Sequence, residues 1–226
     1  MISPTAECGV TQNKWDQVIQ LDLLWTQYER IIKDNAAIVL TAVQPFASQL
    51  IMSNTKLFRY DWIWLKNKTS GFLNANKMPL RAHEHVLVFY KKLPIYNPQK
   101  TTGHKPVNSY TKHTESTNYG KTKLGFKGGG ATDRYPTSIL EFPVVNNDSK
   151  EKFHPTQKPV EMFEYLIKTY TNEGMIVLDN CAGSFTTAVA CDNLNRNWIC
   201  IEKEKEFCDW GSERIAKNIS KRLENL

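Results

Sequence analysis

At 226 residues, 41% hydrophobic and 11% aromatic, the chain has material for the core of one α/β domain with a small appended lobe. A net charge of +6 and a sequence pI near 9.0 permit an anionic partner. No run approaches membrane-spanning length, the N-terminus lacks a basic-then-apolar signal pattern, and five cysteines without CxxC spacing argue against a disulfide framework or a structural zinc site. Reduced thiols in a cytoplasmic protein are expected.

Residues Met1 to Asn13 are mixed and weakly patterned. Apolar residues at Leu21, Leu24, Trp25, Tyr28, Ile31 and Ile32 predict a helix from Leu21 to Lys33, broken at Asp34-Asn35. Ala36 to Val43 reads as a buried strand, and Pro45 opens a helix over Phe46 to Ser53. Tyr60 to Leu65, with Trp62 and Trp64, reads as a strand buried on both faces. Val86 to Tyr90 is a further strand, closed by Lys91-Lys92 and Pro94.

From Pro94 to about Asn147 no period is sustained, and the stretch is too long for a plain loop in a compact domain. Between Leu93 and Arg134 there are seven Lys/Arg (Lys100, Lys105, Lys112, Lys121, Lys123, Lys127, Arg134) against two acids, which supplies +5 of the net +6. Tyr96, Tyr110, Tyr119, Phe126 and Tyr135 are interleaved. Aromatics among cations suit base stacking together with phosphate contact. A solvated surface loop is the plain alternative.

Pro159 is placed for a first helical turn, and Met162, Phe163, Leu166, Ile167 and Tyr170 give a helical face. Met175 to Leu178 is a short strand ending in Asp179 and the small-residue turn Asn180-Cys181-Ala182-Gly183-Ser184. A helix follows from Thr186 to Asn193, then a strand from Asn197 to Ile201 ending in Glu202, then a helix from Glu204 towards Leu223. A strand, a tight turn and a helix N-terminus make a cofactor loop, and an acid ending the next strand suits a ribose diol. An ordinary strand–turn–helix without a ligand is the alternative. Alternating elements predict a mostly parallel sheet covered by helices on both faces.

Three segments in this order carry a resemblance: His154-Pro155-Thr156-Gln157-Lys158-Pro159, Leu178-Asp179-Asn180-Cys181-Ala182-Gly183-Ser184, and Ile201-Glu202-Lys203. Gly9 to Asp16, Gly71-Phe72-Leu73-Asn74-Ala75 and Arg81-Ala82-His83-Glu84 add to it. Over about residues 9 to 218 the chain resembles the S-adenosylmethionine-dependent DNA amino-methyltransferases, which act on adenine N6 or cytosine N4. The motif order is that of their β subgroup, and phage and bacterial members, such as those of restriction-modification systems, are the nearest in size. The resemblance implies a single Rossmann-like methyltransferase domain over residues 1–226 with a target-recognition insert at 94–147. It implies S-adenosylmethionine as cofactor and double-stranded DNA as partner, for a monomer or homodimer without a membrane.

Carried over by position, His154, Thr156, Gln157 and Lys158 would hold the methionine end of the cofactor. Asp179, Gly183, Ser184 and Phe185 would line its loop, and Glu202 would take the ribose hydroxyls. In the insert, Lys112, Lys121, Lys123, Lys127, Arg134 and Tyr135 would meet DNA, with a flipped base read beyond the strand ends.

Two departures bear on activity. Such enzymes place Asp-Pro-Pro-Tyr, or a variant with Asn or Ser first, at the end of the strand beside the cofactor. The acid and a backbone carbonyl draw density onto a poorly nucleophilic exocyclic amine, and the aromatic ring stacks on the base. The corresponding positions here are Thr5, Ala6, Glu7 and Cys8. Thr5 carries no charge, Cys8 cannot stack, and Glu7 is out of register. Only Met1 to Pro4 precede them, so the expectation is a shortened or re-started copy in which a new N-terminus replaces the catalytic loop.

The second departure is Phe185, where the family has a second glycine after Gly-Ser. Its ring either obstructs the path of the methionine moiety or packs inward under the helix. The expected outcome is an impaired methyltransferase. The alternatives are an inactive DNA-binding module that masks sites, and a remnant or subunit that needs a partner.

Of the remaining candidates, His83 and His85 around Glu84 lack a third metal ligand, and no metal site is expected. Glu161 and Glu164 read as a solvated helical pair.

Overall fold

The computed structural model describes residues 2–3, 19–112, 124–146, 148, 152 and 156–224. Thr5, Ala6, Glu7 and Cys8, Lys121 and Lys123, and His154 all lie outside them. Two compact units divide the chain: residues 1–97 with 138–226, and Pro98–Thr137.

In the larger unit the elements run β1 (Ile2–Ser3), α1 (Leu21–Ile31), β2 (Ile38–Ala42), α2 (Phe46–Ser53), β3 (Phe58–Ser70), a 3-10 turn (Phe72–Asn74) and β4 (Arg81–Phe89). Strands β5 and β6 belong to the smaller unit. Beyond it come β7 (Ile139–Glu141), α3 (Val160–Tyr170), β8 (Ile176–Asp179), α4 (Thr186–Asn193), β9 (Asn197–Cys200) and α5 (Lys205–Glu224).

One sheet has the order β1-β2-β4-β3-β7, and β8 pairs with β9. Pairs β1/β2, β3/β7 and β8/β9 are parallel, while β2/β4 and β3/β4 are antiparallel. Strand β1 also lies against β8.

Alternation along β2 and β4 explains the layering. Ile38, Leu40, Ala42, Leu87 and Phe89 pack on one side with Trp25 and Tyr28 of α1 and Phe46, Ala47 and Leu50 of α2. Val39, Val86 and Val88 pack on the other with Met162, Phe163, Leu166 and Ile167 of α3 and Ala190 and Cys191 of α4. Both faces are therefore covered by helices, as the run of apolar residues in β2 predicts. Strand β3 departs from the expectation of burial on both faces. Trp62 and Trp64 join the α3 side, where Trp62 Nε1 donates to Tyr170 Oη at 2.8 Å and Trp64 Nε1 to Phe142 O at 2.8 Å. Leu65, on the other face, is exposed.

Strands β3 and β4 are also longer than their apolar stretches. Trp64 stands opposite Glu84 and Leu65 opposite His83, but the next pair is Ser70 with Arg81. Residues 66–69 therefore bulge, with Asn67 Oδ1 accepting from Val144 N at 2.9 Å and Lys68 Nζ donating to Asn146 Oδ1 at 2.7 Å.

Beneath the bulge lies a buried ion cluster. Glu84 Oε2 is 2.8 Å from Lys158 Nζ and Oε1 is 3.3 Å from Lys66 Nζ. Lys158 also stands over the Trp64 ring. Burial alone would raise the carboxyl's pKa, but the two ammonium groups outweigh it and hold the group below the usual carboxylate range.

The smaller unit is organised, which its lack of period did not predict. Thr101 bridges Arg134, and β5 (Tyr110–Thr111) pairs with β6 (Lys127–Gly128). The glycine run is steric in origin. A Cβ on Gly128 would stand 2.5 Å from the Tyr110 ring, and one on Gly129, at φ +131, would stand 2.6 Å from Ser109 Cα.

The Glu84 cluster yields a first expectation. Glu84→Gln removes the carboxylate that Lys66 and Lys158 share and lowers stability by about 3–5 kcal/mol near neutral pH. Because the folded-state pKa is depressed, the wild type's advantage is present above the ordinary carboxylate pKa and is lost as pH falls through the folded value. Urea unfolding of both proteins at neutral and acid pH measures the difference and its disappearance.

Candidate cofactor site

The turn after β8 is held by its own acid. Asp179 is 2% exposed; its Oδ1 accepts from Cys181 N at 3.1 Å and its Oδ2 from Thr187 Oγ1 at 2.5 Å. Burial pushes its pKa up to about 6, against the lowering effect of those two donors. From the far side of the sheet, Tyr28 Oη of α1 donates to Asn180 Oδ1 at 2.9 Å.

Glu202 ties the two strand ends together. Its Oε2 accepts from Gly183 N at 2.7 Å, and its Oε1 from Lys203 N at 2.7 Å and Glu204 N at 2.9 Å. One carboxylate thus fixes Gly183, at φ 48, and leads the chain into α5. A carboxylate has about four acceptor positions, so with three donors placed among the described residues, a further acceptor position on Oε2 suits a ligand hydroxyl.

Phe185 takes the second of the two courses open to it. It is the residue before α4 and adopts φ 57, ψ 31, the left-handed region that favours glycine. Its side chain is only 7% exposed and packs with Ala182, Ala188, Cys200, Cys208 and Ile215. A Cβ placed on Gly211 of α5 would stand 2.1 Å from its ring, so the missing side chain on α5 is what admits the phenyl group. Arg214, one turn on, donates to Ser184 O at 2.7 Å and Thr186 Oγ1 at 2.9 Å, closing the loop from the α5 side. Neither Gly211 nor Arg214 stood out in the sequence. They are far from the loop along the chain, and only α5 packing brings them to it.

The segment before α3 reaches the same loop. Thr186 Oγ1 donates to Lys158 O at 3.4 Å, and Gln157 and Lys158 are buried. The Lys158 ammonium is engaged by Glu84, so its main chain faces the loop while its side chain anchors the segment. Thr156 is half-buried. Strand β4 thereby supplies a structural acid, Glu84, which in the sequence belongs to the segment Arg81-Ala82-His83-Glu84 that adds to the resemblance. His85 bonds Asp61 at 2.9 Å, and the described residues contain no group of three side chains able to hold a metal.

Within the smaller unit, the expected DNA-facing residues divide. The guanidinium of Arg134 is spent on main-chain carbonyls of Lys105, Ala131 and Asp133, which organises the unit. Lys127 and Tyr135 are exposed, and Lys100 lies 4.2 Å from the Tyr135 ring centroid. Lys112 is half-buried, and its main chain bonds Phe126 and Gly125.

Residues 11–216 match the family described as DNA methylase, N6_N4_Mtase. The chain belongs to this family. The match begins beyond Thr5–Cys8 and takes in the Lys158 segment, the Asp179 turn and Glu202.

Among curated relatives, the chain is 33% identical over 138 residues to the type II methyltransferase M.BglII of Bacillus subtilis, which is 61% of this chain and 37% of that protein. It is 26% identical over 212 residues to M.HindIII of Haemophilus influenzae, covering 84% of this chain and 66% of that protein. Over a shorter stretch of 81 residues it is 42% identical to M.HpaI of Haemophilus parainfluenzae, 35% of this chain and 26% of that protein. The matched parts thus span from about a quarter to two thirds of these relatives' lengths.

In fold, the DNA methylase chain is similar to M1.HpyAVI solved as a SAM complex, with TM-score 0.59 and 24% identity over 94% of this chain and 86% of that one. It is similar also to the cytosine-N4-specific PvuII DNA methyltransferase, with TM-score 0.63 and 16% identity over 97% and 82%. These likenesses establish the α/β methyltransferase fold.

The packing of Phe185 predicts a coupled pair. Gly211→Ala overpacks the contact and lowers stability by about 1–3 kcal/mol. In the Phe185→Gly background the same change costs much less, so a double-mutant cycle followed by urea unfolding gives strongly non-additive values. Additive values would place the ring elsewhere.

Proposed function

We propose that this member of the DNA methylase family binds S-adenosylmethionine at the Asp179–Glu202 loop and binds double-stranded DNA. Its ability to transfer a methyl group to adenine N6 or cytosine N4 is limited by Thr5-Ala6-Glu7-Cys8. The observation that carries the cofactor half is the Glu202 carboxylate, pinned by three backbone N–H groups at the strand end with a further acceptor position on Oε2. That donor and acceptor set fits a ribose hydroxyl, and the turn at Gly183 leaves main chain accessible to a ligand.

The cofactor would supply an electrophilic methyl group on a sulfonium sulfur. The chain's own residues hold the site: Glu202 accepts a ribose hydroxyl and keeps Gly183 in place, and Asp179 keeps the turn closed through Cys181 and Thr187. Lys158, anchored on Glu84, keeps its carbonyl on Thr186 at the start of α4. With its ring packed on α5, Phe185 does not by itself argue against cofactor binding.

The transfer half is different. An exocyclic amine needs an acceptor for its protons and a ring stacked on its base, and the sequence at positions 5 to 8 offers neither an acid in register nor an aromatic residue. An inactive DNA-binding module that masks sites is therefore the reading favoured over an efficient enzyme. The exposed aromatics and cations of the smaller unit, Tyr110, Phe126, Lys127 and Tyr135, suit contact with DNA, and the bulk of 94–147 is proposed as the target-recognition segment. None of the described helices is long and apolar enough to cross a membrane. A cytoplasmic monomer or homodimer is proposed.

Transfer of tritiated methyl from S-adenosylmethionine to unmethylated genomic DNA tests this reading. The wild type is expected to incorporate no label above background, whereas a variant with Asp-Pro-Pro-Tyr at positions 5 to 8 incorporates it with Phe185 left in place. Label transfer by the wild type contradicts the assignment of impairment to Thr5–Cys8.

A further inference from the structure

The β3–β4 hairpin of the larger unit carries a surface with no part in the cofactor site described above. From Trp62 to His83 the sequence contains Lys66, Lys68, Lys77 and Arg81 and no acid. Glu84 neutralises Lys66 at the hairpin's base, while Lys68 and Lys77 are exposed. At the tip, Phe72 is 81% exposed, Leu73 97% and Met78 57%.

Ordinary surfaces scatter single apolar residues, but two adjacent large ones presented almost entirely to solvent call for a partner. The tip is also a formed turn. Gly71 at φ 90 starts it, Asn74 N and Ala75 N donate to Gly71 O and Phe72 O at 2.9 and 3.0 Å, and Lys77 N and Met78 N both donate to Asn74 O. The bulge at 66–69, tied to Val144 and Asn146, fixes the arm below it. The main chain at the tip is thus held by its own hydrogen bonds, so binding need not order it.

We infer that this hairpin is a second nucleic-acid contact, in which Phe72 and Leu73 form an apolar wedge against the bases of duplex DNA while Lys68 and Lys77 meet the flanking phosphates. Charge complementarity selects the occupant: an acid-free cationic arm fits a polyanion, and an apolar tip beside it fits a polyanion that also offers stacked, apolar surface. The arm springs from the Trp64–Glu84 pair, where Lys158 is anchored, and on β4 three residues, about 10 Å, separate Glu84 from Arg81, whose partner Ser70 precedes the tip turn. The inference rests on the DNA-binding reading above.

Fluorescence anisotropy of the full chain on a mixed-sequence duplex across a salt series tests it. Phe72→Ala with Leu73→Ala is expected to weaken binding by about tenfold with an unchanged salt slope. Lys68→Gln with Lys77→Gln is expected to reduce the slope of log affinity against log salt by about 2. All four positions are exposed, and circular dichroism confirms that each variant is folded before titration.

A wild type that binds the duplex, with both variants equal to it in affinity and slope, overturns the hairpin inference and leaves the DNA-binding reading standing. A wild type that does not bind the duplex overturns that reading and the inference with it. Two further controls discriminate other occupants. Sedimentation with phosphatidylserine-containing vesicles that depends on Phe72 and Leu73, with duplex affinity unchanged, makes the tip a lipid contact and overturns the inference. A wild-type dimer that the tip variant dissociates, again with duplex affinity unchanged, makes it a self-association surface and does the same.

Discussion

The buried carboxylate of Glu84 is the constraint on which the site depends. Removing a carboxylate and two ammonium groups from water is costly, and the cluster is tolerable only because each charge has its partner within hydrogen-bonding distance. Three parts of the structure are joined there. Lys66 comes from the bulge that starts the long hairpin, Lys158 from the segment leading into α3, and Glu84 from the strand whose neighbours Val86 and Val88 form the core. Through Lys158 O and Thr186 Oγ1, the same contact reaches the start of α4 and so the cofactor loop.

A second constraint is local to that loop. A glycine's backbone conformation is occupied by Phe185, and the strain of a left-handed phenylalanine is offset by burying its ring against Gly211 and the small residues around it. The departure from the family pattern is therefore compensated across the interface with α5, where the glycine has in effect moved to the opposite helix. Arg214 reinforces the same interface from Ser184 and Thr186. A loop that looks damaged along the sequence is closed and hydrogen-bonded in the fold.

Legibility followed the physics of each segment. Elements with a strong apolar period, such as α1, α3 and β2, are evident in sequence because one face or both must be buried. The ends of β3 and β4 are polar and solvated on their outer parts, so period gave no sign of them, and Phe72 and Leu73, legible as part of the family resemblance, were not legible as the exposed tip of a hairpin. The insert's order comes from glycines that allow close backbone approach and from Arg134 bonding carbonyls, neither of which leaves a periodic trace. At the site, Asp179, Gly183 and Glu202 were legible as an acid, a turn and an acid at strand ends. The three backbone donors to Glu202, the inward Phe185 and the structural use of Lys158 required tertiary contacts between residues many positions apart.

The balance of these features is a family member whose Asp179–Glu202 loop, the proposed methyl-donor site, is closed and hydrogen-bonded, and whose sequence departs from the family pattern at Thr5 to Cys8. Isothermal titration calorimetry with S-adenosylmethionine tests that claim most directly. The account predicts one-site binding by the wild type, weakened at least tenfold by Glu202→Ala, in which Gly183 loses its acceptor and the ribose its partner. Absence of binding heat with folded wild-type protein across a range of temperatures, or an affinity unaffected by Glu202→Ala, would contradict it.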